Sequence, residues 1–597
     1  MESSTIGRHI NGHTVRIEPV IQLPTYNPSQ GRLRYYMSLA LTFVLLIALF
    51  IKQEYINIEG PNNDILNNRG RHNINIETIT VSDINLQDRI FLKSIQPSVI
   101  DQYHFNQWIE EESDIARIKI LRNIKYSTNQ NDWNDPNIPL GVITASPSRK
   151  SPNYYFQWTR DSAMTLNSLV LDYKEYGESI NPMIHDIMFQ YFNNSMVLQR
   201  LNNWSGNFSI KDKYRGLAEP KYNIDSSPFN ENWGRPQNDG PALRIITVLN
   251  YLDSVATNAL NINELIGPYY NYNFEDELDL LNNFVYYDLQ FIVLNYQESC
   301  FDLWEEIRDR HFFTTIVQFY ALKKSIDKWT AFMDEHGIYP NNDNDLFNEM
   351  NETYDKLLEF LLSKDNFINT EKGYLIESPN LLKSRSGVDI AVILGSIVSH
   401  PSGDSISARI PFDVHDSGVL NTLYALMKSM SVIYPINHPN IPVNMGIALG
   451  RYPEDIYDGI QTSEGNPWFI STSTAAELMY KLIESYHTEK KPIVVNIWKT
   501  KFWKLFFSKH NKDYWNDDLT ITIPYNSLAF NMTLNNVFKY GDSFLEVVRT
   551  HMSHEGEMSE QFNKYTGFLQ GARDLSWSYS SFLDAVRSRA KAQKLLK

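Results

Sequence analysis

The chain is 597 residues long, with a formal net charge of −16 and 42% hydrophobic residues, so it can bury a large core in several domains or in one large helical ring. The acidic balance excludes a nucleic-acid partner, because phosphate binding needs a basic face. A single cysteine, Cys300, excludes intrachain disulfides and cysteine-based zinc sites, and reads as a small buried residue.

Residues 1–34 are polar, carry Pro24 and Pro28, and predict a disordered tail. Tyr35 to Ile51 holds no charge and reaches the lower end of the ~17–25 residues a spanning helix needs. Arg32 and Arg34 precede it, which predicts its N-terminal side in the cytosol. More than thirty residues stand before the apolar run and no small-x-small site follows it, so an uncleaved anchor is favoured over a signal peptide. The expectation is a single-pass type II membrane protein, with everything after Ile51 lumenal, vacuolar or extracellular. N-x-S/T sequons at Asn193, Asn203, Asn207, Asn351 and Asn531 all fall on that side. Residues 52–95 read as a stalk with a short strand near 76–81, and 96–597 as the globular domain.

From there the pattern is repeatedly helical. Ile115, Ile118, Ile120 and Leu121 sit at helix spacing, as do Met164, Leu166, Leu169 and Val170. Pro241 opens a third run through Leu243, Ile246, Leu249 and Leu252, in the first turn where proline is tolerated. Further helices are predicted within 274–296, 312–327, 350–363, 415–433, 470–486 and 574–590. Strand-like alternation is rare, Leu519 to Ile523 being its clearest case. Ten or more helices with no repeat of fixed period predict an α-barrel or solenoid and weigh against TPR or HEAT arrays. The loops 144–160, 214–240, 297–311, 398–414, 434–468 and 552–573 are long and rich in polar and aromatic residues. Loops of that length are uncommon without a function, and in an α-barrel they gather on one face.

Glu305 and Glu306, behind Trp304, are either first-turn acids that favour a helix dipole or catalytic groups. Asp161 and Ser162 either cap a helix starting near Ala163 or serve a site. Their company points to a site. Trp158-Thr159-Arg160-Asp161, Trp233-Gly234-Arg235-Pro236-Gln237, Gly450-Arg451-Tyr452-Pro453-Glu454-Asp455, Asn466-Pro467-Trp468 and Ala572-Arg573-Asp574 mostly pair an aromatic with charged groups. Aromatic faces on C–H surfaces and charged side chains on hydroxyl pairs suit a neutral polyhydroxylated ligand.

Taken in order, these motifs resemble the fungal glucoamylases of glycoside hydrolase family 15. The resemblance runs from about Asn106 to Arg587, through Gly141 to Ser148, Tyr154 to Ser162, Glu219 to Arg244, Asp302 to Phe313, Gly450 to Tyr457, Asn466 to Phe469 and Met558 to Tyr579. It implies an all-α, (α/α)6 barrel and inverting release of glucose from non-reducing ends of α-1,4-glucans, with slower action on α-1,6 links. By the same correspondence Glu305 is the general acid and Glu560 the general base. Glu306 contacts the leaving-side sugar, and Arg160, Asp161 and Arg451 hold substrate. Trp233, Leu303 and Trp304 wall the subsites, and Tyr154 stands near the catalytic water. Trp158, Arg235, Asp455 and Trp468 complete the expected substrate-binding set.

An inverting pair needs its carboxyls ~6.5–9.5 Å apart, with the acid's pKa raised; Trp304 and the like charge of Glu306 are the residues expected to raise it. The resemblance implies no metal or cofactor, and the chain is expected to act as a monomer on α-glucan. The chain stops soon after its last barrel helix, so no starch-binding domain is expected, and the loop 458–465 reads as longer than in short family members. The alternatives are a trehalase or N-glycan-trimming glucosidase on a related barrel, or a catalytically silent glucan-binding membrane protein. Loss of one carboxylate would mark the last, and both Glu305 and Glu560 are present.

Overall fold

Helix formation here follows two different sequence patterns. α7 (Asn344–Leu362) buries one stripe, Leu346, Met350, Thr353, Leu357 and Leu361, the mark of a helix with one wet face. α10 (Phe469–Thr488) is buried on every side from Phe469 to Ile483, and carries Ser471, Thr472, Ser473 and Thr474 into the interior. Small hydroxylated residues let neighbouring helices approach, and Thr472 returns its hydroxyl hydrogen to the Trp468 carbonyl at 3.0 Å.

The computed structural model describes residues 100–128, 135–266, 274–401, 410–438, 446–496, 499–506 and 520–597. All of them belong to one compact unit of the chain. The predicted tail (1–34), membrane anchor (35–51) and stalk (52–95) lie outside the described residues. Among the described residues no helix is long and apolar enough to cross a membrane.

Among the described residues twelve helices have ten or more residues. In chain order they are α1 (Gln102–Arg122), α2 (Thr159–Tyr176), α3 (Ile184–Gln199), α4 (Asp239–Thr257), α5 (Tyr286–Asn295), α6 (Phe312–His336), α7, α8 (Ile390–Ser399), α9 (Ser417–Ile433), α10, α11 (Leu528–His551) and α12 (Ser576–Leu595). The even-numbered helices close a ring, α2 on α4, α4 on α6, α6 on α8, α8 on α10, α10 on α12 and α12 back on α2. Each odd-numbered helix packs outside, α1 on α12, α3 on α2, α5 on α4, α7 on α6, α9 on α8 and α11 on α10. The expected (α/α)6 arrangement is this double ring.

Short antiparallel ribbons decorate the connections. They are β1 (Gln157–Trp158) with β2 (Lys221–Tyr222), β3 (Cys300–Phe301) with β4 (Arg308–Asp309), β5 (Ile368–Asn369) with β6 (Tyr374–Leu375), β7 (Ile493–Asn496) with β8 (Thr520–Ile523), and β9 (Gln561–Phe562) with β10 (Leu569–Gln570). The alternation at 519–523 is β8, of which Leu519 is outside the described residues.

Two local expectations change. α2 begins at Thr159 rather than near Ala163, so Asp161 and Ser162 stand in its first turn, beside Arg160, instead of capping it. Glu305 and Glu306 are not first-turn acids. They occupy the tight loop between β3 and β4, and α6 starts only at Phe312.

Candidate active site

All six segments that lead into the inner-ring helices converge at one end of the barrel. The residues flanking those helix starts are Trp158, Asn238, His311, Asp389, Trp468 and Leu575, and only Asp389 caps its helix with a side chain. Between these segments lies a cavity of about 320 Å³. Tyr154, Trp158, Arg160, Asp161, Trp233, Leu303, Trp304, Glu305, Glu306, Arg451, Trp468 and Glu560 line it, as the sequence predicts. Tyr457 and Trp577 join them without having been assigned a role. Arg235 and Asp455 do not line it.

Glu305 sits at the tip of the β3–β4 hairpin. Asp302 shapes that tip by accepting the Glu306 and Ile307 amides at 2.7 and 2.9 Å. Glu305 itself adopts φ +67°, a left-handed conformation that a non-glycine residue keeps only when its surroundings enforce it. Gly234 is part of that enforcement: a Cβ there would lie 2.5 Å from the Glu305 carbonyl oxygen. The carboxyl oxygen Oε1 accepts from Trp158 Nε1 at 2.7 Å and Gln237 Nε2 at 3.1 Å, with Arg160 Nη2 at 3.6 Å.

The two residues expected to act on Glu305 are engaged elsewhere. The Trp304 indole donates to Asp389 at 3.0 Å. Glu306 is paired with Arg451 at 2.8 Å and Arg385 at 3.2 Å, and accepts the Tyr452 hydroxyl. Arg451 and the other donors hold its carboxyl below the usual range, against the cost of burial.

Glu560 lies just before β9 and is fully buried. Burial pushes its carboxyl up to about 8, although Tyr154, Arg451, the Ala572 backbone and Tyr457 all favour the charged form. The Tyr457 hydroxyl donates to Oε2 at 3.3 Å and shares a 2.8 Å hydrogen bond with Tyr154. Gly571 (φ +76°) presses on the other side, where a Cβ would meet Oε2 at 2.4 Å. The carboxyl raised by burial is therefore the expected base.

Two arginines frame the rest. Arg160 donates to Gln237 at 2.7 Å and Asp239 at 3.0 Å. Asp161 beside it is pushed up to about 6 by burial, with Arg160 opposing. Arg451 is held by Asp455 through two bonds of 2.8 and 2.6 Å, so Asp455 orients the arginine from beneath. Arg235 spends its guanidinium on Glu219 at 3.0 Å and on the Glu231 and Phe229 carbonyls, and so ties down its own loop. Among the described residues Arg160 Nε, Trp233 Nε1 and Trp468 Nε1 are buried donors without a hydrogen-bond partner, all on cavity-lining residues. Unpaired buried donors at a cavity are costly until a ligand accepts from them. The whole array fits a neutral polyol set between two carboxyls.

The family model for glycosyl hydrolases family 15 matches residues 116–587. The chain belongs to this family. A sporulation-specific intracellular glucoamylase of Saccharomyces cerevisiae is 37% identical over 525 residues, covering 86% of this chain and 90% of that one. A Saccharomycopsis fibuligera glucoamylase is 35% identical over 529 residues, 86% of this chain and 97% of its own. The solved structure of a glucoamylase from that yeast superposes with a TM-score of 0.75 at 35% identity, covering 84% of this chain and 99% of that one. The chain is thus a glycoside hydrolase of family 15, and the convergent cavity is its candidate active site.

Several of this hydrolase's site residues were legible only as company. Gln237, Tyr452 and Tyr457 stand inside motifs read for other residues. Arg385 and Asp389 come from the approach to α8, where no motif marks them, yet they hold Glu306 and Trp304.

Proposed function

We propose that this family 15 hydrolase removes glucose from the non-reducing ends of starch, glycogen or maltodextrins. It cleaves α-1,4 bonds, and α-1,6 bonds more slowly, with inversion to β-D-glucose. The observation that carries the reading is that Glu305 and Glu560, reached from separate inner-ring segments, share the wall of one cavity lined by aromatics. At about 320 Å³ it is near the small end of the ~300–1,000 Å³ of ligand pockets, which suits a chain end rather than a chain passing through.

Glu305 gives a proton to the departing glycosidic oxygen while Glu560 takes one from the attacking water. Trp158 and Gln237 fix the Glu305 carboxyl, and Arg160, Asp161 and Arg451 hold the hydroxyls of the terminal glucose. Glu560 must be ionised to work, and water and sugar hydroxyls bring donors that favour that form. No residue of the chain forms a covalent intermediate, and no cofactor is required.

The charge asymmetry about Tyr35 to Ile51 supports an N-terminal anchor with the catalytic unit, a monomer, on the lumenal, vacuolar or extracellular side. Asn207, in one of the sequons beyond the anchor, is exposed. Resistance to alkaline carbonate extraction, with a mobility shift on deglycosylation, is the expected result, and release into the supernatant would remove the anchor from the account.

A substrate panel tests the activity. Maltoheptaose is expected to yield glucose, while trehalose and glucosylated N-glycan remain intact. Cleavage of either of those in place of maltoheptaose would overturn the substrate and leave the barrel.

A further inference from the structure

The β1–β2 ribbon sets Lys221 directly opposite Trp158. Lys221 is only 3% exposed. Its ammonium lies 3.4 Å from the centroid of the Trp233 ring, 4.2 Å from Phe156 and from Phe229, and 4.5 Å from Trp158. The four rings support one another at centroid distances of 5.3 to 6.1 Å, mostly edge to face. Among the described residues no hydrogen bond or ion pair engages the ammonium. An ammonium taken out of water is expensive unless something replaces hydration, and four π faces are what replaces it here. Glu305 and Glu231 favour its charge from a distance, Arg235 opposes it, and burial pushes the lysine down to about 8.

A cation in a cage of rings is an unusual way to fill a core, where an apolar side chain would pack at less cost. Its placement gives it a use. Trp158 makes the shortest hydrogen bond to Glu305, at 2.7 Å. Trp233 walls the cavity and precedes Gly234, which presses on the Glu305 backbone. The ammonium touches the faces of both indoles, so it restrains the wall from which Glu305 is aimed.

We propose that Lys221 is a positioning residue for the hydrolysis, clamping Trp158 and Trp233 so that Glu305 is held in the orientation from which it protonates the leaving oxygen. Lys221 takes no proton and forms no bond in the reaction. The inference rests on Glu305 as the general acid, and the test separates the two. The full chain is assayed on maltotriose, whose sugar leaving group needs a proton, and on α-D-glucosyl fluoride, whose fluoride departs with little help.

Glu305→Gln is the reference and is expected to lose maltotriose turnover while keeping most of its fluoride turnover. Lys221→Met is expected to follow it, with kcat on maltotriose falling at least about tenfold and kcat on the fluoride changing less than about threefold. Phe229→Leu removes one ring of the cage without stranding the cation, and is expected to show the same selectivity at about threefold. Equal losses on both substrates in Glu305→Gln would overturn the role of Glu305, and the proposal with it. Selective loss in Glu305→Gln beside equal loss, or none, in Lys221→Met overturns the proposal alone. If Lys221→Met does not fold, an unaltered substrate ratio in Phe229→Leu overturns it.

Discussion

The two carboxyls of the cavity are presented by similar devices and surrounded in opposite ways. Each stands at a two-stranded ribbon leading into an inner-ring helix, Glu305 in the turn of β3–β4 before α6 and Glu560 next to the first residue of β9–β10 before α12. Each is pressed by a glycine, Gly234 against the Glu305 carbonyl and Gly571 against the Glu560 carboxylate. Glu305, however, faces an indole N–H, an amide and a guanidinium. Glu560 is sealed in with tyrosine hydroxyls, and burial dominates it. On the proposed roles, the difference teaches that the acid is oriented by the protein alone, whereas the base is completed by what enters the cavity. Its ionisation depends on donors that water and sugar supply.

The largest effect should come from removing either carboxyl. Glu305→Gln and Glu560→Gln are each expected to lower kcat for maltoheptaose by about 10²–10⁴-fold or more, read as glucose release, with a folded protein in both cases. A near-normal rate in either would break the pairing of the two sites.

Next come the glycines. Gly571→Ala is expected to displace the Glu560 carboxylate and lower kcat by about 10²-fold, the order that a 1 Å misplacement costs. Gly234→Ala should act on the Glu305 backbone with a comparable loss. Equal rates in both variants and the parent would show that the tight packing positions nothing.

Arg451 tests the region between the sites. Arg451→Met strands Asp455 and takes one of two arginines from Glu306, and loss of one partner from a buried ion pair costs about 3–5 kcal/mol. A clear fall in Tm by calorimetry is the expected result, and an unchanged Tm would mean that the pairs are not formed.

The smallest effect separates the two carboxyls most finely. Tyr457→Phe removes a donor that favours charged Glu560, so the base's pKa rises. The base must be deprotonated to act, so the acidic limb of kcat against pH moves to higher pH, with a modest loss at the optimum. A shift to lower pH would contradict Glu560 as base.

Legibility in the sequence did not divide by ring. The one-sided stripe of α7 announces itself at a period of 3.6, and the runs now seen as α2, α4 and α10 were also found. α8 escaped: Ile390 to Ser399 is buried on nearly all sides, and a decamer whose only polar side chains, Ser396 and Ser399, are themselves buried has no wet face to read. α11 escaped too, because Asn531, Asn535 and Asn536 dilute its first half. The site was legible where aromatics and charges share a motif. It was not legible where a residue works by holding another. Arg235 looked like a substrate residue but ties its loop to Glu219, and Asp455 serves Arg451. Trp304 and Glu306, neighbours in sequence at a hairpin tip, bond to different partners, Asp389 and Arg451.

The measurement that bears most directly on the central claim is proton NMR of the first sugar released from maltoheptaose. Glu305 as acid and Glu560 as base on opposite faces of the ring predict β-glucose first, with the α anomer appearing only by mutarotation. α-Glucose first would mean retention, and would contradict the division of labour between the two carboxyls.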